Sequence, residues 1–437
     1  MSFKGTQPRS ILVYNPISGH GHLDSWNALF IGFLLNAGWR VAALSPDVAA
    51  LRFRLEQKKL EAHPNLRVLD WRPPKRSLIE RIRGKLARIF RTNVQPEATE
   101  ALRALEAHYL QPLEFAQRIR DAVVQMNDKP QIVFNMYMDL YRPDDLGWAP
   151  FEREQKIPWA GIRFVPSAVE DASTQAPLAP SEAYYRLPSL LGMCFLDELL
   201  CQQYAQRLPH KAFAYLPDIT EATLSPTQSD LVLTIKHRAA GRKIVFLGGS
   251  IGSSKNLSHW YDLIAQAPVT DWFFVQIGEV HEQTLSVADR LAYEQIQKEP
   301  PENFLLKKEY LPDEREFNDV IAASDILFAV YRQFSQSSNM LGKAAAFEKP
   351  IVVATGYLMG VRVEQYQIGL AVSEVVPAQT LHALVALATA SENRSVCRAE
   401  NFAAYRRDFS HEALQKRFIN FLEQAMQIKP LAGSPKL

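Results

Sequence analysis

The sequence predicts an α/β fold: two tandem, Rossmann-like, doubly wound domains facing a cleft. Three observations carry this. Residues 11–14 form a short apolar, β-branched run that ends in the turn Asn15-Pro16-Ile17-Ser18-Gly19-His20-Gly21-His22 and opens a helical pattern through Leu35. Residues 243–247 repeat the order, ending in Gly248-Gly249-Ser250-Ile251-Gly252-Ser253-Ser254-Lys255 before another helical pattern. Strand, glycine-rich turn and helix is how a doubly wound unit begins. The third observation is length: 437 residues suit two to three domains better than one sheet with two tight turns.

The remaining elements follow from alternation. Strands are expected at 40–44, 66–69, 131–135 and 159–164 in the first half, and at 272–277, 304–306, 326–330 and 351–354 in the second. Helical patterns separate them, as parallel sheets with right-handed crossovers require. Runs such as 132–134 and 351–353 are apolar throughout, as strands covered on both faces are. The expected domains are 1–216 and 217–428, with 429–437 as a tail and the linker near Leu216-Pro217 to Ser225-Pro226.

Composition narrows the function classes. The chain is 47% hydrophobic and 22% charged, which excludes a disordered or fibrous protein. Its 49 basic and 47 acidic residues leave a net charge of +2, without the overall basic field of a nucleic-acid binder. Cys194, Cys201 and Cys397 are too few and scattered for a zinc site or a disulfide framework, and read as buried thiols in a reducing compartment. The N-terminus lacks a signal-peptide pattern, and no apolar stretch reaches the roughly 20 residues of a membrane span. A cytoplasmic protein is expected. The Asn15–His22 turn lacks the third glycine of a dinucleotide fingerprint, and no Walker, Gly-x-Ser-x-Gly or His-Glu-x-x-His motif occurs.

The second half carries ENFLLKKEYLPDEREFNDVIAASDILFAVY (302–331), SSNMLGKAAAFEKPIVVAT (337–355) and VEQYQIGLAV (363–372). This order resembles the nucleotide-sugar domain of GT-B fold glycosyltransferases, most closely family 4. SGHGHLDSWNALFIGFLLNAGWRVAALSPD (18–47) resembles the acceptor-domain opening of the same superfamily. The resemblance implies a first domain for the acceptor, a second for a nucleoside diphosphate sugar, and a last helix near 411–427 that packs back on the first domain. It implies transfer of a sugar to an acceptor hydroxyl, on a lipid-linked substrate, a glycan or a small molecule. It also implies metal independence, since the fold replaces a cation with loop amides and Lys255, and no Asp-x-Asp motif stands at a strand end.

A diphosphate needs convergent donors, which backbone N–H groups at a helix start supply. Gly249-Ser250…Lys255 aligns with the family's basic pair: Lys255 keeps the lysine, and Ser250 replaces the arginine. A lysine there can stabilise the departing negative charge; otherwise it is a solvated lysine at a helix start. Ser335-Gln336-Ser337-Ser338-Asn339 is the second candidate, with Ser337, Ser338 and Asn339 as donor contacts or as a plain helix cap. Family 4 enzymes carry two glutamates eight positions apart around this loop. Alignment on Lys349-Pro350 puts Ser335 and Lys343 there, so both carboxylates are missing and Lys343 is expected to reach a phosphate instead.

On the acceptor side, Gly19 and Gly21 let backbone approach a ligand, and His20 and His22 head the first helix. In inverting, family 1-type relatives a histidine at the position of His22 deprotonates the acceptor. A neutral imidazole suits that role, with Asp139 as a candidate orienting carboxylate and Asp24 a weaker one; the simpler reading is that the histidines cap the helix or bind substrate. Asn135 and Tyr137 are weaker acceptor candidates.

Residues 72–91, RPPKRSLIERIRGKLARIFR, hold eight basic residues against one acid, a local balance of +7. Leu78, Ile82, Leu86 and Ile89 recur at three- and four-residue steps, which predicts a basic amphipathic helix. Such a helix either lies on an anionic membrane surface, at the inner face of the membrane, or packs on its own domain. Two rival functions fit the same residues. One is a nucleotide-sugar epimerase on this fold; the other is a non-catalytic homologue serving as a partner subunit, which the missing glutamates motivate.

Overall fold

Strand β1 (Ser10–Tyr14) is buried along its whole length, and around it the first of two parallel sheets is built. The computed structural model describes residues 9–18, 23–71, 109–142, 145–164, 184–389 and 396–428. The chain divides into one unit that runs to Leu216 and resumes at Gln415, and a second, Pro217–Leu414.

In the first unit, β1, β2 (Arg40–Leu44), β3 (Leu66–Leu69), β4 (Ile132–Asn135), β5 (Trp159–Arg163), β6 (Leu190–Phe195) and β7 (Ala212–Tyr215) form a seven-stranded sheet in the order β3-β2-β1-β4-β5-β6-β7. Its helices are α1 (Leu23–Asn36), α2 (Val48–Gln57), α3 (Pro112–Met126), α4 (Trp148–Glu154) and α5 (Glu198–Arg207). The strand order reverses between β1 and β4, so the crevice lies at their carboxyl ends. Trp148 and Trp159 stack at 5.9 Å, and Phe115 meets Trp159 edge-on at 5.6 Å. These rings close one face of the sheet by dense aromatic packing. On α1, Phe30 lies 6.3 Å from Phe134 and 4.4 Å from Phe418.

The second unit holds α6 (Asp230–Ala239), β8 (Lys243–Gly248), α7 (Leu257–Gln266), β9 (Trp272–Ile277), α8 (Val287–Lys298), β10 (Phe304–Lys307), α9 (Glu314–Ala323) and β11 (Ile326–Ala329). It continues with α10 (Asn339–Ala346), β12 (Ile351–Ala354), α11 (Leu358–Tyr366), β13 (Gly369–Val372), α12 (Pro377–Ala388) and α13 (Ala399–Asp408). The last helix, α14 (His411–Gln427), begins here, and from Gln415 its residues belong to the first unit. The sheet order is β10-β9-β8-β11-β12-β13, all parallel. Trp260 packs on Phe274 and Phe328 at 5.3 and 4.7 Å, beneath α7. The two doubly wound sheets are those the alternation of elements predicts. β6, β7 and β13 carried no sequence assignment, because short apolar runs do not separate strand from buried helix by periodicity.

Candidate functional site

The order of the second sheet reverses between β8 and β11, so ligand chemistry is expected at the carboxyl ends of those strands. The loop after β8 begins with Gly249 at φ +97°, a left-handed conformation that glycine adopts without strain. Asn256 closes it, also left-handed at φ 58°, and donates from Nδ2 to the carbonyls of Glu374 (2.8 Å) and Val330 (3.3 Å). Between them, the amides of Ser250, Gly252, Ser253 and Ser254 find no partner among the described residues.

The residues after β11 lock this loop. Lys255 donates from Nζ to the Tyr331 hydroxyl at 2.6 Å and lies 3.8 Å from the centre of that ring, so its ammonium is held by a hydrogen bond and a cation–π contact. Arg332 donates its backbone N–H to the Ser254 carbonyl at 2.8 Å. Its guanidinium reaches Asp289 (2.5 Å), Asn256 Oδ1 (2.6 Å) and Ser258 Oγ (2.9 Å). Asp289 is fully buried and also accepts from the Ser258 amide and from the hydroxyls of Ser258 and Ser286. Burial alone would raise its carboxyl pKa, but the bonds from Arg332, Ser286 and Ser258 outweigh that and hold it below the ordinary value. The Glu374 carboxylate accepts from the Gln333 amide at 2.8 Å. Burial, and then Glu374 itself, push the Tyr357 phenol up.

The residues picked out from sequence divide clearly. Gly249, Ser250 and Lys255 stand together on the β8 loop. The 335–339 segment is used internally: Ser338 caps α10 and accepts from the Met340 amide. Ser337 Oγ accepts from Arg362 at 2.7 Å and donates to Asp218 at 3.3 Å, and Asn339 Oδ1 accepts from the Thr220 hydroxyl. The expectation that Lys343 reaches a phosphate is corrected. Lys343 is buried, and its ammonium donates to Glu314 (2.5 Å), Asn318 Oδ1 (2.5 Å) and the Glu221 carbonyl (2.6 Å). All three of its donors are satisfied, so desolvation and pairing fix it as a structural cation.

In the first unit, Gly19, His20, Gly21 and His22 lie outside the described residues, as does the basic segment 72–91. Asp139 accepts from the Phe164 amide at 2.9 Å and lies 3.8 Å from Arg163 Nε, which anchors it to the end of β5. Asn135 accepts from the Tyr137 amide at 2.9 Å. Among the described residues no cluster of three His, Cys, Asp or Glu side chains is placed to hold a metal ion, and no helix is long and apolar enough to cross a membrane.

Sequence reasoning missed Tyr331, Arg332, Asp289 and Glu374. Only Asp289 had a local signal, in the capping sequence Ser286-x-x-Asp289, whose serine accepts from the Asp289 amide. The others act on partners far away along the chain.

The two sheets place the chain among GT-B folds. It is similar to a glycosyltransferase from Rickettsia africae ESF-5, at 9% identity and a TM-score of 0.63, over 97% of this chain and 100% of that one. It is also similar to the E. coli trehalose-6-phosphate protein bound with UDP-2-fluoro glucose, at 13% identity and a TM-score of 0.63, over 97% and 100%. A third similarity is to Anabaena HepE in complex with UDP and glucose, at 11% identity and a TM-score of 0.59, over 95% and 99%. These likenesses are of fold, and they do not distinguish family 4 from other GT-B proteins. No protein-family model and no curated protein sequence matches the chain.

Proposed function

We propose that this protein is a glycosyltransferase that moves a sugar from a nucleoside diphosphate sugar to an acceptor hydroxyl. One observation carries the reading: at the β8/β11 reversal, a glycine–serine loop presents amides that have no partner among the described residues, beside an ammonium held in place by Tyr331. That set matches the needs of a diphosphate, which takes several N–H donors and one compensating cation. Related folds have been solved with UDP-2-fluoro glucose and with UDP and glucose, which supports a UDP-type donor.

In this reading Gly249 lets the backbone approach the phosphates. Ser250 and the neighbouring amides bind them. Lys255 leaves Tyr331 to offset the charge that develops on the leaving diphosphate. No metal ion is needed to hold the diphosphate. His22 of the first unit takes the acceptor proton as general base. Asp139 accepts the Phe164 amide on one oxygen and orients that imidazole with its remaining acceptor capacity. Segment 72–91 would bring the first unit to an anionic membrane surface, suiting a lipid-linked or glycan acceptor.

The test is binding of UDP-glucose, GDP-mannose and ADP-glucose by calorimetry, with the wild type and Lys255→Ala. The expected result is one preferred donor, bound about tenfold or more weakly by the variant at an unchanged thermal midpoint. Equal binding by both proteins would remove Lys255 from the site. A second reading, a sugar-nucleotide-binding partner subunit without catalysis, is favoured by Ser335 and by the buried Lys343 at the places of the family's glutamates. Donor binding without transfer or hydrolysis would select it.

A further inference from the structure

The pairing of β8 with β9 does not stop where the strands end. Ile251 and Val280 form an isolated parallel bridge. The Ile251 amide donates to the Glu279 carbonyl, and the His281 amide to the Ile251 carbonyl, both at 2.9 Å. Gly278 makes this approach possible. At φ +145°, a Cβ on it would stand 1.8 Å from the Gly249 carbonyl oxygen. The loop after β9 is thereby laid along the proposed diphosphate loop, and His281 Nε2 comes to 2.9 Å from Ser250 Oγ. Sequence separates these two residues by 31 positions.

The direction of that contact is set by the imidazole tautomer. A serine hydroxyl has one proton and two acceptor lone pairs. In the tautomer that carries Nε2–H, the imidazole donates into Ser250 Oγ and the serine proton points elsewhere, where no described residue accepts it. Ser250 is exposed, so the proton is available to a ligand. A hydrogen bond received strengthens a hydroxyl as a donor. Ser250 also stands where the resembling loops carry an arginine, which donates several protons to a phosphate. A lone hydroxyl is a weaker substitute, and the imidazole behind it compensates.

We propose that Ser250 and His281 form a two-member donor chain to a phosphate oxygen of the sugar nucleotide. Ser250 makes the contact, and His281 is a positioning residue that acts through it. The proposal rests on the reading of the β8 loop as the diphosphate site.

The experiment measures calorimetric affinity of the wild type, Ser250→Ala, His281→Ala, the double variant Ser250→Ala/His281→Ala and the replacement Ser250→Arg/His281→Ala. The probe is whichever of UDP-glucose, GDP-mannose and ADP-glucose binds the wild type most tightly, with its phosphate-free nucleoside as control. Each alanine variant is expected to bind the sugar nucleotide about tenfold more weakly, the double variant no worse than either, and the nucleoside equally well in all. Ser250→Arg/His281→Ala is expected to return to within about threefold of wild type, because a guanidinium supplies its own donors. An unchanged His281→Ala, additive losses in the double variant, or an equal loss of nucleoside affinity would each overturn the donor chain while leaving the diphosphate site standing. A wild type that binds none of the sugar nucleotides would overturn both.

Discussion

Asp289→Asn tests how the candidate site is held in shape. The wild-type carboxylate is fully buried and accepts five hydrogen bonds. Oδ1 takes the Ser258 amide, the Ser258 hydroxyl and Arg332 Nη2. Oδ2 takes Arg332 Nη1 at 2.5 Å and the Ser286 hydroxyl at 2.6 Å. An asparagine can keep the Oδ1 bonds, and Ser286 can rotate to accept, but the new NH2 faces Arg332 Nη1 donor to donor. One charge-assisted bond is lost and the guanidinium loses its counter-charge. The bond alone is worth about 1.5–3 kcal/mol. Arg332 keeps 29% of its side chain exposed, so water recovers part of its solvation, and the expected loss is about 2–3 kcal/mol rather than the ~3–5 of a fully buried broken pair.

Arg332→Met should cost a similar amount, and the double variant should fall short of the sum by at least ~1.5 kcal/mol, since the two residues share one interaction. The assay is urea unfolding followed by tryptophan fluorescence, in which Trp260 and Trp272 report on the second unit. The pH dependence has a definite sign. The folded carboxyl pKa is depressed, so its stabilisation is complete above the unfolded value of about 3.9 and is lost as pH falls through the folded one. The gap between wild type and Asp289→Asn should therefore close in acid. Stability within ~0.5 kcal/mol of wild type at pH 7, or strict additivity in the double variant, would show that Asp289 and Arg332 do not share a stabilising buried pair.

Two further outcomes follow from the same geometry. Lys343→Met removes the buried partner of Glu314 and Asn318 and should destabilise by about 3 kcal/mol while leaving sugar-nucleotide affinity within about twofold; a selective loss of affinity would restore Lys343 to the site. Gly278→Ala places a Cβ 1.8 Å from the Gly249 carbonyl oxygen in a left-handed conformation. It should lower the thermal midpoint and weaken donor binding together, because the β8 and β9 loops must part; an unchanged midpoint would contradict the close approach.

The doubly wound class, most strands and the β8 loop were legible because each rests on local signals. The apolar runs around 132–134 and 351–353 mark strands buried on both faces, and Gly248-Gly249-Ser250 marks a turn at a strand end. Lys343 shows where local reading stops. Its position on α10 was readable, but its exposure was not, because Glu314, Asn318 and the Glu221 carbonyl reach it from distant parts of the chain.

Local pattern alone specifies that this chain builds two parallel α/β sheets with a glycine–serine loop and a lysine at the head of the second. Periodicity and turn chemistry act between neighbours in the chain, so they are written there. Which side chains remain available to a ligand is settled once the chain has folded. Parallel strands bring their carboxyl-end loops together across long separations, and hydrogen-bond partners are chosen among the residues that meet. Those meetings hold Lys255 on Tyr331, lock Arg332 onto Asp289, bury Lys343 and place His281 behind Ser250.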